Sequence, residues 1–209
     1  DSLTLGDDDL FAGTLASMVD WMRDNLLDTG GAFFAGEDGE SGGQNGQHYL
    51  WRREQLKKLL SEDEYLLVET LFGLDKLANI ENRWNLHRHD SYRSVVERLS
   101  LTSAEADALL ASAKQKMRSA RAAADIQPTI DRKVITGWNG LAIKGLADAG
   151  RSNNQGEWIA MAGQCAQFLR QSCWDGEMLY STWHESRLGH PAFLDDYANV
   201  LGGLHSLSL

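Results

Sequence analysis

Cysteine is scarce in this sequence, with only Cys165 and Cys173 among its 209 residues. Their spacing matches neither a metal-binding nor a redox motif, and two turns of one helix separate them too far for a disulfide. We expect two buried thiols and no disulfide-framed secreted fold. Proline is also rare, with two residues, and its scarcity suits a helix-rich chain because proline interrupts helices.

Long hydrophobic runs and positive charge are lacking as well. No apolar run approaches the roughly 20 residues of a membrane span, and no signal peptide is recognised. Lysine and arginine number 20 against 30 acidic residues, which gives a net charge of −10. Nucleic acids and anionic membranes attract clustered cations, so neither is expected as a partner. These absences together predict a cytoplasmic protein.

Apolar residues recur at helical spacing in most of the chain. Capping boxes at 61–64 and 102–105 mark two helix starts, because Ser or Thr is followed three residues later by Glu. The predicted helices cover residues 10–28, 53–60, 65–72, from the second capping box to about 124, 136–149, 157–174 and 193–207. We predict strands at 32–34 and 48–51, joined by an acidic, glycine-rich loop at 36–46, and another strand at 178–183.

Glycine is abundant, with 20 residues, and five of them lie in two of the last three predicted helices. Gly137, Gly140 and Gly145 lie in one of these helices, and Gly202 and Gly203 lie in the other. Glycine lowers helix propensity, so its presence in a helix makes sense where helices pack closely on both sides. Small-residue helices that alternate with amphipathic helices are typical of an α/α toroid, although an ordinary helical bundle fits nearly as well.

Three parts of the chain match one protein family. Residues 31–41, GAFFAGEDGES, followed by HYLW at 48–51, resemble the family's glycine-aromatic-Glu-Asp loop and its aromatic return strand. Residues 131–141, DRKVITGWNGL, resemble its most recognisable segment. Residues 190–198, HPAFLDDYA, resemble a segment that reads His-Pro-Gly-Phe-Leu-Glu-Asp-Tyr-Ala, and 85–87 is a weaker match. Order and spacing agree over almost the whole chain.

The family is that of the thioredoxin-domain-containing proteins like spermatogenesis-associated protein 20 and its bacterial relatives. Its members resemble a thioredoxin-like domain followed by an (α/α)6 toroid similar to N-acylglucosamine 2-epimerase and the six-hairpin glycosidases. The chain has no Cys-x-x-Cys motif and no βαβ start. The resemblance therefore implies that residues 1–209 are part of one toroid domain, a fragment without the thioredoxin-like domain and the last hairpins. We expect an all-α fold of incomplete toroid-type hairpins, with short β-hairpins in the loops.

The toroid resemblance implies chemistry on sugars. Glycoside hydrolysis needs two carboxyl groups, and epimerisation needs a base and an acid that flank a carbon-bound proton. The candidate catalytic residues are Asp131, His190 and Asp196, which lie in loops or at helix starts. Asp195 and Asp196 are adjacent on a helix and cannot share a proton, because adjacent helical residues do not face each other.

Six further residues are candidates for binding a small sugar. Trp138 would offer an aromatic face to a pyranose, and Asn139 would donate to its hydroxyl groups. The other four are Asp38, Lys133, Asp195 and Tyr197. Structural alternatives stay open: Asp131 stabilises a helix end or pairs with Arg132 or Lys133, Trp138 lies in the core, and Asn139 satisfies a buried loop.

Two functions from different classes remain. One is a carbohydrate-active toroid domain that is epimerase-like or glycosidase-like, and the other is a non-catalytic binding or scaffold module attached to a thioredoxin-like domain. A catalytic site requires candidate carboxylates that converge on one pocket, whereas a scaffold gives each carboxylate its own ion pair or helix end. No cofactor is expected, and His87 with His89 signals no third metal ligand. An incomplete ring exposes an apolar groove, so self-association is also expected.

Overall fold

The computed structural model describes residues 8–41 and 43–209, and among them the side chains of 13–40, 43 and 46–209. In chain order, the helices and strands are α1 (Asp8–Leu26), β1 (Gly36–Glu37), β2 (Glu40–Ser41), β3 (Gln44–Asn45), α2 (Arg53–Leu59), α3 (Glu62–Phe72), α4 (Tyr92–Arg98), α5 (Ser103–Ala122), β4 (Ile130–Asp131), β5 (Val134–Ile135), α6 (Thr136–Ser152), α7 (Gly156–Ser172), β6 (Thr182–His184), β7 (Arg187–Leu188) and α8 (Leu194–Ser208). The prediction of a mainly helical fold with a few short strand pairs is confirmed.

The chain divides into two compact units. Unit 1 combines Ile130–Leu209 with the segment before Gly39, and unit 2 is Gly39–Thr129. Unit 1 contains α1, α6, α7 and α8, together with the antiparallel pair β1–β4 and the three-stranded sheet β5–β6–β7. Unit 2 contains α2 to α5 and the antiparallel pair β2–β3.

Helices α6 and α8 of unit 1 run in the same direction and touch through glycine. Gly137 lies against Asp196, and about two turns further along Gly203 lies against Ile143. A Cβ atom on Gly140 would stand 2.6 Å from backbone atoms of α8, so only glycine allows this approach. Gly137, Gly140 and Gly203 thus serve the close helix packing that the sequence predicts, whereas a Cβ on Gly145 or Gly202 would meet no atom within 4 Å.

Helix α7 runs antiparallel to α6 and covers its other face. Asn139, near the start of α6, meets Cys165, whereas Gly150, near its end, meets Ile159 of the first turn of α7. The apolar core of unit 1 forms between these helices, and its buried members include Val134, Ile143, Leu146, Trp158, Met161, Cys165, Phe168 and Leu169. Burial of this amphipathic face supplies most of the stability of such helices.

Unit 2 is built around α3 and its buried leucines. Leu56 of α2, together with Leu67 and Leu71 of α3, is fully buried. Glu64 of α3 is also buried, and it accepts hydrogen bonds from Ser112 Oγ (2.6 Å) and Lys116 Nζ (2.7 Å) of α5. A buried carboxylate is tolerated in this position because it is paired and hydrogen-bonded.

The predicted strand at 32–34 does not pair with the one at 48–51, and this prediction was wrong. Phe33 forms a bridge with Leu27, and Trp51 forms one with Trp84. The glycine-rich loop instead contains the pair β2–β3, while its residue 42 lies outside the described part. The strand predicted at 178–183 is formed as β6, which begins only at Thr182. Its partner β7 follows closely in sequence, whereas its partner β5 is distant in sequence and is brought to β6 only by the fold.

Candidate functional site

The candidate residues are brought to one end of unit 1. Because α6 and α8 are parallel and touch where Gly137 meets Asp196, their first turns lie side by side. Trp138 and Asn139 lie in the first turn of α6, and Asp195, Asp196 and Tyr197 lie in that of α8. Asp131, Lys133 and His190 lie in the segments that lead into these helices, and Asp38 follows β1, which pairs with β4.

Asp196 is buried, with 5% of its surface exposed. Its Oδ2 accepts a hydrogen bond from the backbone N–H of Phe193 (2.9 Å), which caps its own helix. Its Oδ1 accepts one from the backbone N–H of Gly137 (3.0 Å), an N–H that helix α6 leaves without an internal partner. Both oxygens of this candidate catalytic residue are therefore engaged by backbone donors.

Asn139 is also buried, and its side chain also forms hydrogen bonds with backbone groups. Its side-chain amide accepts from the N–H of Phe33 (2.8 Å) and donates to the carbonyl of Phe33 (2.9 Å). It also donates to the carbonyl of Ile135 (3.0 Å), and the thiol of Cys165 lies 3.1 Å from its Oδ1. The side-chain amide of Asn139 thus bonds to the backbone of Phe33 as a neighbouring strand would. This is the structural alternative considered for this position, in which Asn139 satisfies a buried loop.

Asp131 is about half exposed and pairs with Lys133. Lys133 Nζ lies 3.1 Å from Oδ2, and the backbone N–H of Lys133 donates to Oδ1 over 3.2 Å. These contacts hold the pKa of Asp131 below its usual value of 3.8, and the nearby His184 acts in the same direction. Asp131 is an ionised acceptor at neutral pH, which suits a base or a hydroxyl acceptor but not a general acid.

His184 is a neighbour of this group that the sequence analysis did not single out. It ends strand β6, opposite Arg187 in the pairing of β6 with β7. No local motif marks it, because its position near Asp131 arises from the pairing of β5 with β6 across 48 residues. It adds a titratable group at the same end of unit 1.

The remaining candidates differ in exposure. Trp138 is 56% exposed and so is not a core residue, and Asp38, Asp195 and His190 are exposed as well. The carbonyl of His190 accepts from the N–H of Ser181 (2.8 Å), which fixes the loop before α8. Tyr197 is partly buried, and its Oη accepts from the N–H of Leu179 (3.3 Å).

Unit 1 contains an apolar cavity of about 640 Å³ between α7 and α8. Its walls include Ile143, Leu169, Leu201 and Leu204. Of the nine candidates only Tyr197 lines it, and none of the candidate carboxylates reaches it within the described structure. The carboxylates therefore do not converge on this cavity.

Two features are absent from the described residues. No group of three or more His, Cys, Asp or Glu side chains is arranged to hold a metal ion among them. None of the helices in that part of the chain is both long and apolar enough to cross a membrane.

Comparison with known proteins places the chain beside a small set of relatives. No family model matches it. It is 25% identical to spermatogenesis-associated protein 20 of Mus musculus over 235 aligned positions, which cover 96% of this chain and 30% of the relative. The Homo sapiens protein of the same name is 25% identical, and the alignment covers 97% of this chain and 30% of that relative. An uncharacterized protein of Caenorhabditis elegans is 26% identical over 85% of this chain and 28% of its own length.

The chain therefore spans about 30% of the length of the curated relatives it matches. The similarity extends over most of the chain, and it agrees with the resemblance that the motifs indicated. The names of these relatives state no substrate or reaction.

Proposed function

We propose that the chain is a non-catalytic scaffold module of the toroid type. The observation that carries this proposal is the use of Asp196, whose two oxygens accept from the backbone of two different helices. Asn139 is engaged by backbone groups in the same way, and Asp131 is paired with Lys133. These polar side chains hold helix ends and loops together, as a scaffold requires.

The packing of α6, α7 and α8 supports the toroid part of the proposal. In a toroid, parallel inner helices alternate with antiparallel outer helices. Helices α6 and α8 are parallel and in contact, and α7 between them in sequence is antiparallel to α6. In this proposal α6 and α8 are consecutive inner helices, residues 1–209 belong to one such domain, and the module serves a thioredoxin-like domain in the cytoplasm.

A second candidate function is the binding and conversion of a small sugar at the same end of unit 1. The exposed indole of Trp138 favours it, because an aromatic face in the first turn of α6 suits a pyranose ring. Asp195, His190 and the ionised Asp131 would supply hydroxyl acceptors or a base beside it. An epimerase-like or glycosidase-like reaction would need these groups to act together.

One experiment separates the two functions. The purified chain is incubated with N-acetylglucosamine and with aryl glycosides, and epimerisation and hydrolysis are followed. Asp131→Asn and His190→Ala are tested in parallel, because both side chains are exposed and their loss leaves the buried contacts in place. The scaffold proposal expects no turnover by any of these proteins.

Turnover by the unaltered chain that falls at least a hundredfold in both variants would overturn the scaffold proposal. The control is Asp63→Asn, an exposed aspartate in α3 of unit 2. Sugar binding without turnover is tested by titration of the tryptophan fluorescence with N-acetylglucosamine, and Trp138→Ala would abolish such binding.

A further inference from the structure

Unit 2 contains a cleft whose charge is opposite to that of the chain. The cleft has a volume of about 630 Å³ and is lined by Arg52, Lys58, Arg83 and Arg121, with Asp125 as the one acidic side chain among its described walls. The whole chain carries a net charge of −10. Four cations against one carboxylate in a single cleft of an acidic protein make a local positive potential, which attracts anions.

The cleft has defined walls. On one side, Trp51 pairs with Trp84 through two backbone hydrogen bonds of 3.0 and 2.9 Å. On the other side, His48 Nδ1 lies 3.3 Å from the carbonyl of Ile126, which joins the segment before α2 to the segment after α5. Leu50, Leu59 and Ile126 add apolar surface. Cationic and apolar walls together suit an organic anion better than an inorganic one.

One cation of the cleft is held by aromatic rings, and two others are exposed. The guanidinium of Arg121 lies over the rings of Trp51 (5.5 Å) and Tyr49 (5.7 Å), and such stacking holds a cation in place. Arg52 and Lys58 are exposed, and neither takes part in an ion pair in the part of the chain that the structure describes. Their charges are thus available to a ligand without the loss of an existing ion pair.

One detail at the walls agrees with a ligand that carries acceptor oxygens. The indole Nε1 of Trp51, a lining residue that is 8% exposed, has no hydrogen-bond acceptor among the described residues. An acceptor oxygen beside this wall would supply what a buried donor normally has.

We propose that this cleft binds a small organic anion that carries a phosphate or carboxylate group. The volume lies in the range of roughly 300–1,000 Å³ that is usual for small-molecule sites. The site lies wholly within unit 2 and does not depend on the proposed function of unit 1. Arg52 and Lys58 bind the charged group, and the apolar wall holds the carbon skeleton.

The test is a titration of the isotopically labelled chain, followed through the indole N–H signals of its tryptophans by NMR. The probes are glucose 6-phosphate, citrate, inorganic phosphate and uncharged glucose. The proposal expects glucose 6-phosphate or citrate to shift the Trp51 signal, assigned with Trp51→Phe, and glucose to leave it unchanged. Which of the two anions binds more tightly identifies phosphate or carboxylate as the preferred group.

Two variants and one control make the test specific. Arg52→Gln and Lys58→Gln should each raise the dissociation constant of the organic anion about tenfold, because a hydrogen bond to a charged group is lost. Arg118→Gln removes the same charge from an exposed position of α5 that does not line the cleft, and it should change affinity less than twofold. Thermal unfolding checks that all three variants fold.

The proposal is overturned if neither organic anion shifts the Trp51 signal, or if glucose shifts it equally. It is also overturned if Arg118→Gln weakens binding as much as the cleft variants do, since the attraction would then be unspecific. Tighter binding of a hexaglutamate peptide than of either small anion would assign the cleft to an acidic polypeptide instead.

Discussion

The carboxylate of Asp196 accepts a hydrogen bond of 3.0 Å from the backbone N–H of Gly137, although 59 residues separate the two in sequence. The contact is possible because Gly137 has no side chain: a Cβ there would stand 2.6 Å from the same carboxylate oxygen. A motif segment from the middle of the chain and one from near its end are thus joined at a single point, where α6 and α8 begin.

Replacement of Asp196 by alanine should destabilise the chain by about 3 kcal/mol. Two backbone N–H groups lose their acceptor, and each buried donor without a partner costs about 1–3 kcal/mol. The free energy of unfolding is measured by urea denaturation. Asp195→Ala, at the exposed neighbouring position, is the control and should cost less than about 1 kcal/mol. Equal effects of the two substitutions would contradict the structural role of Asp196.

Replacement of two glycines of α6 by alanine should change the stability of the chain in opposite directions. Gly140→Ala places a Cβ 2.6 Å from the backbone of Asn199 and Val200 and should destabilise by about 1–3 kcal/mol. Gly145→Ala meets no atom within 4 Å and should stabilise by about 0.5–1 kcal/mol, because alanine favours a helix interior. Thermal or urea unfolding distinguishes them. A stabilised Gly140→Ala would show that α6 and α8 do not pack this closely.

Glu64 should make the stability of the chain depend on pH in the acidic range. Burial alone would raise the pKa of Glu64, but hydrogen bonds from Lys116, Ser112 and Ser61 outweigh it and lower the pKa from 4.5 to about 2. A lowered folded-state pKa stabilises the fold above the unfolded value. This stabilisation is present above about pH 4.5 and is lost as the pH falls toward 2.

Glu64→Gln should therefore cost about 2 kcal/mol near pH 7, where charged hydrogen bonds are lost, and progressively less between pH 4.5 and 2. Urea denaturation across this range measures the difference from the unaltered chain. Glu62→Gln, exposed in the same helix, is the control. A difference that stays constant with pH would refute the assignment of the acidic dependence to Glu64.

The two cysteines should be unreactive in the folded chain. Both are free and buried, and burial raises the pKa of Cys165 to about 12 and that of Cys173 to about 11. The thiolate is the reactive form, so reaction with a disulfide reagent at pH 8 should be slow until denaturant is added. An introduced Ser152→Cys at an exposed position should react at once. Rapid reaction of both native thiols would indicate that α7 opens easily.

The exposed leucines of α8 should promote self-association. Leu194 is 86% exposed and Leu201 is 64% exposed, and exposed apolar patches favour contact between copies. Sedimentation velocity at increasing concentration should show a larger species, and Leu201→Glu should reduce it. Leu77→Glu is the matched control, since Leu77 is 95% exposed in unit 2. A chain that stays monomeric at every concentration would argue against the expectation that an incomplete ring exposes an apolar groove.

Features that depend on neighbours in sequence were predictable. Both capping boxes form as their residues indicate: Ser61 with Glu64, and Thr102 with Glu105. The glycine-rich and amphipathic helices of the last third also form near their predicted bounds. The short helix α4 was missed, because its seven residues are too few to show a periodic pattern.

Features that depend on distant partners were decided by the tertiary structure. Trp51 pairs with Trp84, 33 residues further along the chain, because the fold brings the two backbones together, and the apolar run at 48–51 carries no information about this partner. The candidate residues at the starts of α6 and α8 were found from motifs, but whether a carboxylate is exposed, paired or buried depends on packing. Asp195 and Asp196 are adjacent in sequence, yet one is exposed and the other joins two helices.

The cationic cleft of unit 2 is the clearest example of a feature that the sequence did not predict. Arg52, Lys58, Arg83 and Arg121 are spread over 70 residues and form no motif, and the overall charge of the chain points away from an anion site. The amino-acid order was enough to predict the helical class, the helix starts and the need for close packing at glycine, since these follow from local propensity and spacing. Only the folded chain decided which side chains meet, because contacts between distant residues depend on the packing of whole elements.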